Sequence, residues 1–240
     1  MMLNNINIQN ILFLDIETVP MVSNYDEIPE RFKPLWSRKA EIIKKNETDT
    51  PESLFNRAGI YAEFGKIICI SVGFIKINDN HNTFRIKSFY GDDEKLILQD
   101  FIDLLNGYFN KKDNLLCAHN GKEFDYPYIA RKILINGLEI PNILDISTKK
   151  PWEIPHLDTM ELWKFGDYKN YTSLDLLAAV FDISSPKNDI SGADVAEVYW
   201  KNNDLQRIVK YCQNDVLTVA QLFLRYQGKP LLSSDDIALI

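Results

Sequence analysis

Two carboxylates stand close together near the start of the chain. In ILFLDIETVP, residues 11–20, an apolar run ends at Asp15, and Glu17 follows after one more residue. The apolar, β-branched composition predicts a buried strand, and in a strand residues i and i+2 share a face. Asp15 and Glu17 therefore project side by side, with Thr18 next in line. Like charges this close raise each other's pKa unless a cation lies between them. Paired carboxylates suit hard divalent ions such as Mg²⁺ or Mn²⁺. A solvated strand end is the plain alternative, and this stretch alone does not decide between them.

Two more stretches carry chemistry. CAHNGKEFDYPYIARK (117–132) reads as a strand ending at His119–Asn120, a sharp turn at Gly121, and a helix beginning at Asp125. The Asp125 carboxylate either joins the acid pair or caps that helix. YCQNDVLTVAQLFLRY (211–226) reads as a helix docked by Val216, Val219, Ala220 and Phe223. Tyr211 and Asp215 are four residues apart, so they lie on one face, one turn apart.

A scaffold must bring these stretches together. Strands are expected at 8–16, 66–77, 83–91 and 114–120, with 66–77 and 83–91 paired as a hairpin through the turn NDNHN (78–82). Helices are expected over 92–109, over 123–138 with an end near Gly137, around 172–181 and 191–199, and from about Asp204 to about Tyr226. That order predicts an α/β protein, a mixed β-sheet flanked by α-helices on both faces. One domain is expected over 1–240, with an insertion at about 20–63 between the first two strands. This excursion holds Pro20, Pro29, Pro34 and Pro51, with short helices in PERFKPLWSRKAEIIKK and PESLFNRAGIYAEF. Excursions of this length are usually functional or disordered.

Composition narrows the field. Hydrophobic residues make up 45% and charged residues 25% of 240, so a sizeable core needs no disulfide staples. Cys69, Cys117 and Cys212 have no metal-binding spacing and read as buried thiols in a reducing compartment. The opening residues lack the basic region of a secretory signal. No apolar run approaches the roughly 20 residues of a membrane span, so a cytoplasmic location off the membrane is expected. A net charge of −7 argues against coating nucleic acid by charge alone, but not against meeting phosphate through metal ions.

Taken together, the three stretches resemble the exonuclease motifs of the DEDD superfamily, the DnaQ-like branch of ribonuclease H-like folds. LDIET resembles the first motif and HNGKEFD the second. YCQND resembles the third in its tyrosine form; the histidine form would need His where Lys210 stands. AEFGKIICISVGF, HLDTMELW, SLDLLAAVFDI and ISGADVAEVYW extend the similarity over roughly 10–226, to free-standing predicted 3′–5′ exonucleases related to the proofreading domain of family-B DNA polymerases. The resemblance implies a ribonuclease H-like sheet and two divalent metal ions, Mg²⁺ or Mn²⁺, about 3.5–4 Å apart. It implies that Asp15 bridges both ions and that Glu17 and Asp215 help hold the ion that binds the attacking water. Asp125 would support the second ion, and Tyr211 would orient the water. Thr18, Asn120 and Phe124 become substrate-binding positions. The substrate implied is a 3′ end of single-stranded DNA or RNA, with DNA favoured, and the product a nucleoside 5′-monophosphate. DNA repair is one setting that fits, with proofreading in trans and RNA turnover equally open; a polymerase or repair partner stays open.

Other residues carry weaker expectations. His119 and His156 read as structural, and Asp158 as a helix start or cap. Trp36, Phe55 and Tyr61 would either stack on unpaired bases or pack the insertion. Lys39, Lys44 and Lys45 would meet phosphates or form a solvated face. Two rivals remain. LFLDIETV approximates the start of a haloacid-dehalogenase-type phosphatase with Asp15 as nucleophile, and a non-catalytic nucleic-acid-binding module could keep the same fold.

Overall fold

The first strand, β1 (Ile11–Pro20), sorts the molecule into two faces by its alternation. Leu12, Leu14 and Ile16 point into one apolar cluster, and Ile11 and Phe13 into another on the opposite side. The computed structural model describes residues 3–78, 81–167, 171–183 and 189–240. In chain order β1 is followed by α1 (Lys33–Ile43), β2 (Gly65–Asn78), β3 (His81–Tyr90), α2 (Glu94–Tyr108), β4 (Leu115–Ala118) and α3 (Asp125–Ile135). Then come β5 (Leu157–Asp158), α4 (Thr159–Lys164), α5 (Leu174–Val180), α6 (Val195–Trp200), α7 (Leu205–Tyr226) and β6 (Ile237–Leu239).

The strands form one sheet in the order β5-β4-β1-β2-β3-β6. β1 pairs antiparallel with β2, and β2 with β3, while β4 and β5 lie parallel on the other side of β1. Helices α2 and α3 cover one face, and α7 covers the other with Val216, Val219, Ala220 and Phe223. Burying each of the valines and the phenylalanine contributes roughly 1.5–3 kcal/mol. This is the mixed α/β, ribonuclease H-like architecture expected from the sequence.

The element boundaries have local causes. β1 begins at Ile11 rather than residue 8 because Ile8–Asn10 form a 3₁₀ turn capped by the Asn7 side chain. It continues past residue 16 to Pro20 because β2 pairs with it throughout Phe13–Pro20. Asp15 and Glu17 thus sit within a strand, not at its end. A register shift between Glu17 and Thr18 marks a β-bulge beside the acids, a device that re-aims side chains. Asp93 caps α2 by accepting from Lys95 and Leu96, and Asp204 caps α7 by accepting from Arg207. The expected turn at 78–82 includes residues 79–80, which lie outside the described residues. β5, α4 and β6 are two, six and three residues long, too short for periodicity to announce them.

The excursion is folded. Ile28, Trp36, Ala40, Leu54, Phe55, Ala58 and Phe64 form a core of their own. Its second expected helix is a 3₁₀ helix, Phe55–Ile60. Among the described residues no helix is long and apolar enough to cross a membrane.

Candidate active site

Parity along β1 builds the first half of the site. Asp15 and Glu17 continue the face of Ile11 and Phe13, which looks at α7. Phe13 packs on Phe223 with ring centroids 5.9 Å apart, which fixes the helix against the strand. Two to three turns earlier, α7 presents Tyr211, Cys212 and Asp215 to the same region. The Cys212 thiol donates to the Asp15 carbonyl at 3.4 Å. One potential ligand atom each from Asp15, Glu17 and Cys212 lie within 4.8 Å of one another.

The second half comes from the β4–α3 corner. β4 pairs with β1 only over Ile11–Phe13, which leaves the backbone beside Ile16 without a strand. The Asp125 carboxylate fills that place, accepting from the Ile16 amide and from its own. It is the first helical residue and not the cap, which is Phe124. The corner is held by Asp158, which accepts from the Asn120 and Lys122 amides at 3.0 and 3.1 Å and caps α4 through Met160 and Glu161. The turn's left-handed residue is Asn120, at φ 64°, and not Gly121. Gly121 is needed for space: a Cβ there would sit 2.5 Å from that of Ala118.

Asp15, Glu17, Thr18, Phe124, Tyr211 and Asp215 line one cleft of about 440 Å³. Asp125 lies beneath it, 3% exposed, and Asn120 is not among the lining residues; its Oδ1 is buried without a hydrogen-bond partner. Sequence reasoning missed the rest of the wall. Asn56, Arg57, Gly59 and Ile60 come from the excursion, and Gly192, Ala193 and Ala196 from the start of α6. Their only signal was small residues in NRAGI and SGADVA, which names no partner.

The electrostatics follow from burial. Asp15 and Glu17 are pushed well above the usual carboxylate range by desolvation first; the charges of Asp215 and Asp125 then raise Asp15, and those of Asp15 and Asp215 raise Glu17. Asp125 is pushed up to about 8, again by burial first, with Asp158 adding and the two amides opposing. Tyr211 is pushed up from its ordinary value by burial and then by the charges of Asp215, Glu17 and Asp15. It therefore keeps its proton and shares a hydrogen bond with Asp215. The carboxylate oxygens of Asp15 and Glu17, raised by burial and by the neighbouring acids, fit a hard divalent cation, whose charge would reverse these shifts; Cys212 adds a sulfur beside them.

The weaker candidates divide clearly. Trp36 is fully buried, its indole donates to Pro51 at 2.8 Å, and it packs edge-on against Phe55 and Phe64, so it cannot stack on bases. Phe55 is equally buried, and Tyr61 carries Lys39 over its ring at 4.0 Å. Lys44 pairs with Glu41. His119 bridges Thr159 and the Thr172 carbonyl, and His156 bridges the Leu116 amide and the Ile143 carbonyl; both are structural. The three cysteines are free and buried.

Residues 60–232 match the family described as predicted 3′-5′ exonuclease related to the exonuclease domain of PolB. No curated protein matches the chain.

Proposed function

The chain belongs to this family of predicted 3′-5′ exonucleases related to the exonuclease domain of PolB, and from that premise we propose that it is a metal-dependent exonuclease acting on unpaired 3′ ends, DNA foremost. It would hydrolyse the terminal phosphodiester and release a nucleoside 5′-monophosphate. The observation that carries this reading is the convergence of Asp15, Glu17, Tyr211 and Asp215 on one cleft with Asp125 directly beneath. Asp15, Glu17 and Thr18 precede the matched residues, so geometry, not the match, joins them to the rest.

In this reading Asp15, Glu17, Asp125 and Asp215 hold two divalent ions, Mg²⁺ or Mn²⁺. When bound, such ions neutralise the phosphate and acidify the attacking water. Tyr211, protonated and tied to Asp215, orients that water with its hydroxyl; a phenol this far above neutrality does not serve as a base. Thr18 and Phe124 flank the terminal nucleotide. Asn120 shapes the turn that delivers Phe124 and Asp125. We read residues 1–240 as one domain working in the cytoplasm. The phosphatase alternative uses Asp15 alone and gives Tyr211 and Asp215 no task.

The test is a 5′-labelled single-stranded oligonucleotide, as DNA and as RNA, with Mg²⁺ or Mn²⁺ and with chelator. A metal-dependent ladder shortening from the 3′ end, absent with Asp15→Ala, is expected. No shortening of either polymer would overturn the reading.

A further inference from the structure

We infer that Arg57 grips the backbone phosphate next to the scissile one and holds the single strand across the acids; this rests on the exonuclease reading above. The 3₁₀ helix Phe55–Ile60 has two sides. Phe55, Ala58 and Gly59 face inward and are buried, whereas Asn56, Arg57 and Ile60 face outward and are exposed. The inward side is pressed so tightly on β1 that a Cβ on Gly59 would lie 2.9 Å from the Val19 carbonyl carbon. The outward side is thereby aimed into the cleft.

Arg57 is the one cation among the described residues lining the cleft that Asp15, Glu17 and Asp215 also line. Asp49 feels its charge, but the Asp49 carboxylate is already taken by the Lys45 and Asn46 amides at 2.9 and 3.0 Å. A chain of net charge −7 repels a polyanion, and ions bound by the acids answer only the phosphate being cut. The next phosphate needs its own donor, and a guanidinium matches it with two parallel hydrogen bonds. Gly192, Ala193 and Ala196, which also line the cleft, are small and leave the strand room to pass.

Arg57→Ala and Arg57→Lys are compared with the wild-type chain on a labelled single-stranded oligonucleotide. Turnover is measured in Mg²⁺, and binding by fluorescence anisotropy in Ca²⁺ over a range of salt. For Arg57→Ala we expect KM and Kd to rise on the order of tenfold with kcat nearly unchanged. The slope of log binding constant against log salt should shrink by about 0.7, one phosphate contact on a single strand. Arg57→Lys should restore the slope and part of the affinity. Melting temperatures should not move, because Arg57 is exposed. Unchanged KM, Kd and salt slope in Arg57→Ala would overturn the proposal. A wild-type chain that binds but never shortens the oligonucleotide would sink the exonuclease reading, while the binding arm still decides on Arg57.

Discussion

The Tyr128 hydroxyl donates to the Gly59 carbonyl at 2.7 Å, joining the helix that starts at Asp125 to the wall that carries Arg57. The bond is buried, and Tyr128 also meets Thr18. One turn on, Lys132 donates to the Gly65 carbonyl at 2.8 Å and pairs with Glu94 at 3.0 Å. The helix that starts at Asp125 is thus tied to the insertion at Gly59 and to the start of β2 at Gly65. Tyr128→Phe should leave the Gly59 carbonyl unsatisfied, costing about 1–3 kcal/mol in urea unfolding. It should also raise KM more than it lowers kcat, because the wall shifts and the acids do not.

Asp15→Asn and Asp215→Asn should each lower turnover on the order of 10³-fold or more, as expected when a group acting on the transition state is lost. Both proteins should stay folded. In chelator each should melt above the wild type, because one member of a mutually repelling set has lost its charge. Melting curves with and without Mg²⁺ check both statements.

The metal-free protein should lose stability as pH rises from about 6.5 to about 8. Asp125 titrates near 8 in the fold and near 4 when unfolded, so across that window the folded state holds a proton that the unfolded state has released. Stability then falls with pH, by up to about 1.4 kcal/mol per unit for one group. Between about 4 and 6.5 the slope flattens, since buried His156, held down to about 4, favours the fold only while it stays neutral and so offsets Asp125. Thermal melts in chelator should vary little from about pH 4 to 6.5 and fall above it, and saturating Mg²⁺ should flatten the alkaline slope. A flat metal-free profile would contradict the buried, proton-holding state of Asp125.

Trp36→Ala should cost about 3–5 kcal/mol, the usual penalty for emptying a buried aromatic site. Chemical denaturation measures it. Direct base stacking would instead weaken oligonucleotide binding and leave stability alone.

Tyr211→Phe should lower kcat by roughly 10–100-fold with KM little changed, the range seen when a group that orients a site is removed. Its pH–rate profile should keep the wild-type shape, because the phenol carries no proton in the cycle. A shifted profile would make Tyr211 an acid or base instead.

The parts of this structure that were legible in the sequence are those with a period. The alternation of β1, the stripe of α7 and the capping acids of α2 and α7 all came from local rules. So did the candidate acids, because parity in a strand and the four-residue helical spacing fix which side chains share a face. What stayed hidden depends on distant residues. From sequence Asp125 could join the acid pair or cap its helix; that β4 stops short and leaves the Ile16 amide to it is visible only in the fold. Trp36 could stack on bases or pack the insertion until the insertion's own core is seen to close over it. Arg57 has no pattern at all; its importance comes from Gly59 fitting against Val19.

The acids of the cleft lie at residues 15, 17, 125 and 215, on the first strand, the third helix and the last. No two of the three segments are neighbours in sequence, so the centre closes only through contacts of very long loop length, which form late in folding. A chain emerging from synthesis has Asp15 and Glu17 in hand long before α7 exists to face them. The mutual repulsion that raises these acids is therefore withheld until most of the core is in place to bear it. On the exonuclease reading, a half-made chain that lacks α7 lacks Tyr211 and Asp215 and should not shorten nucleic acid.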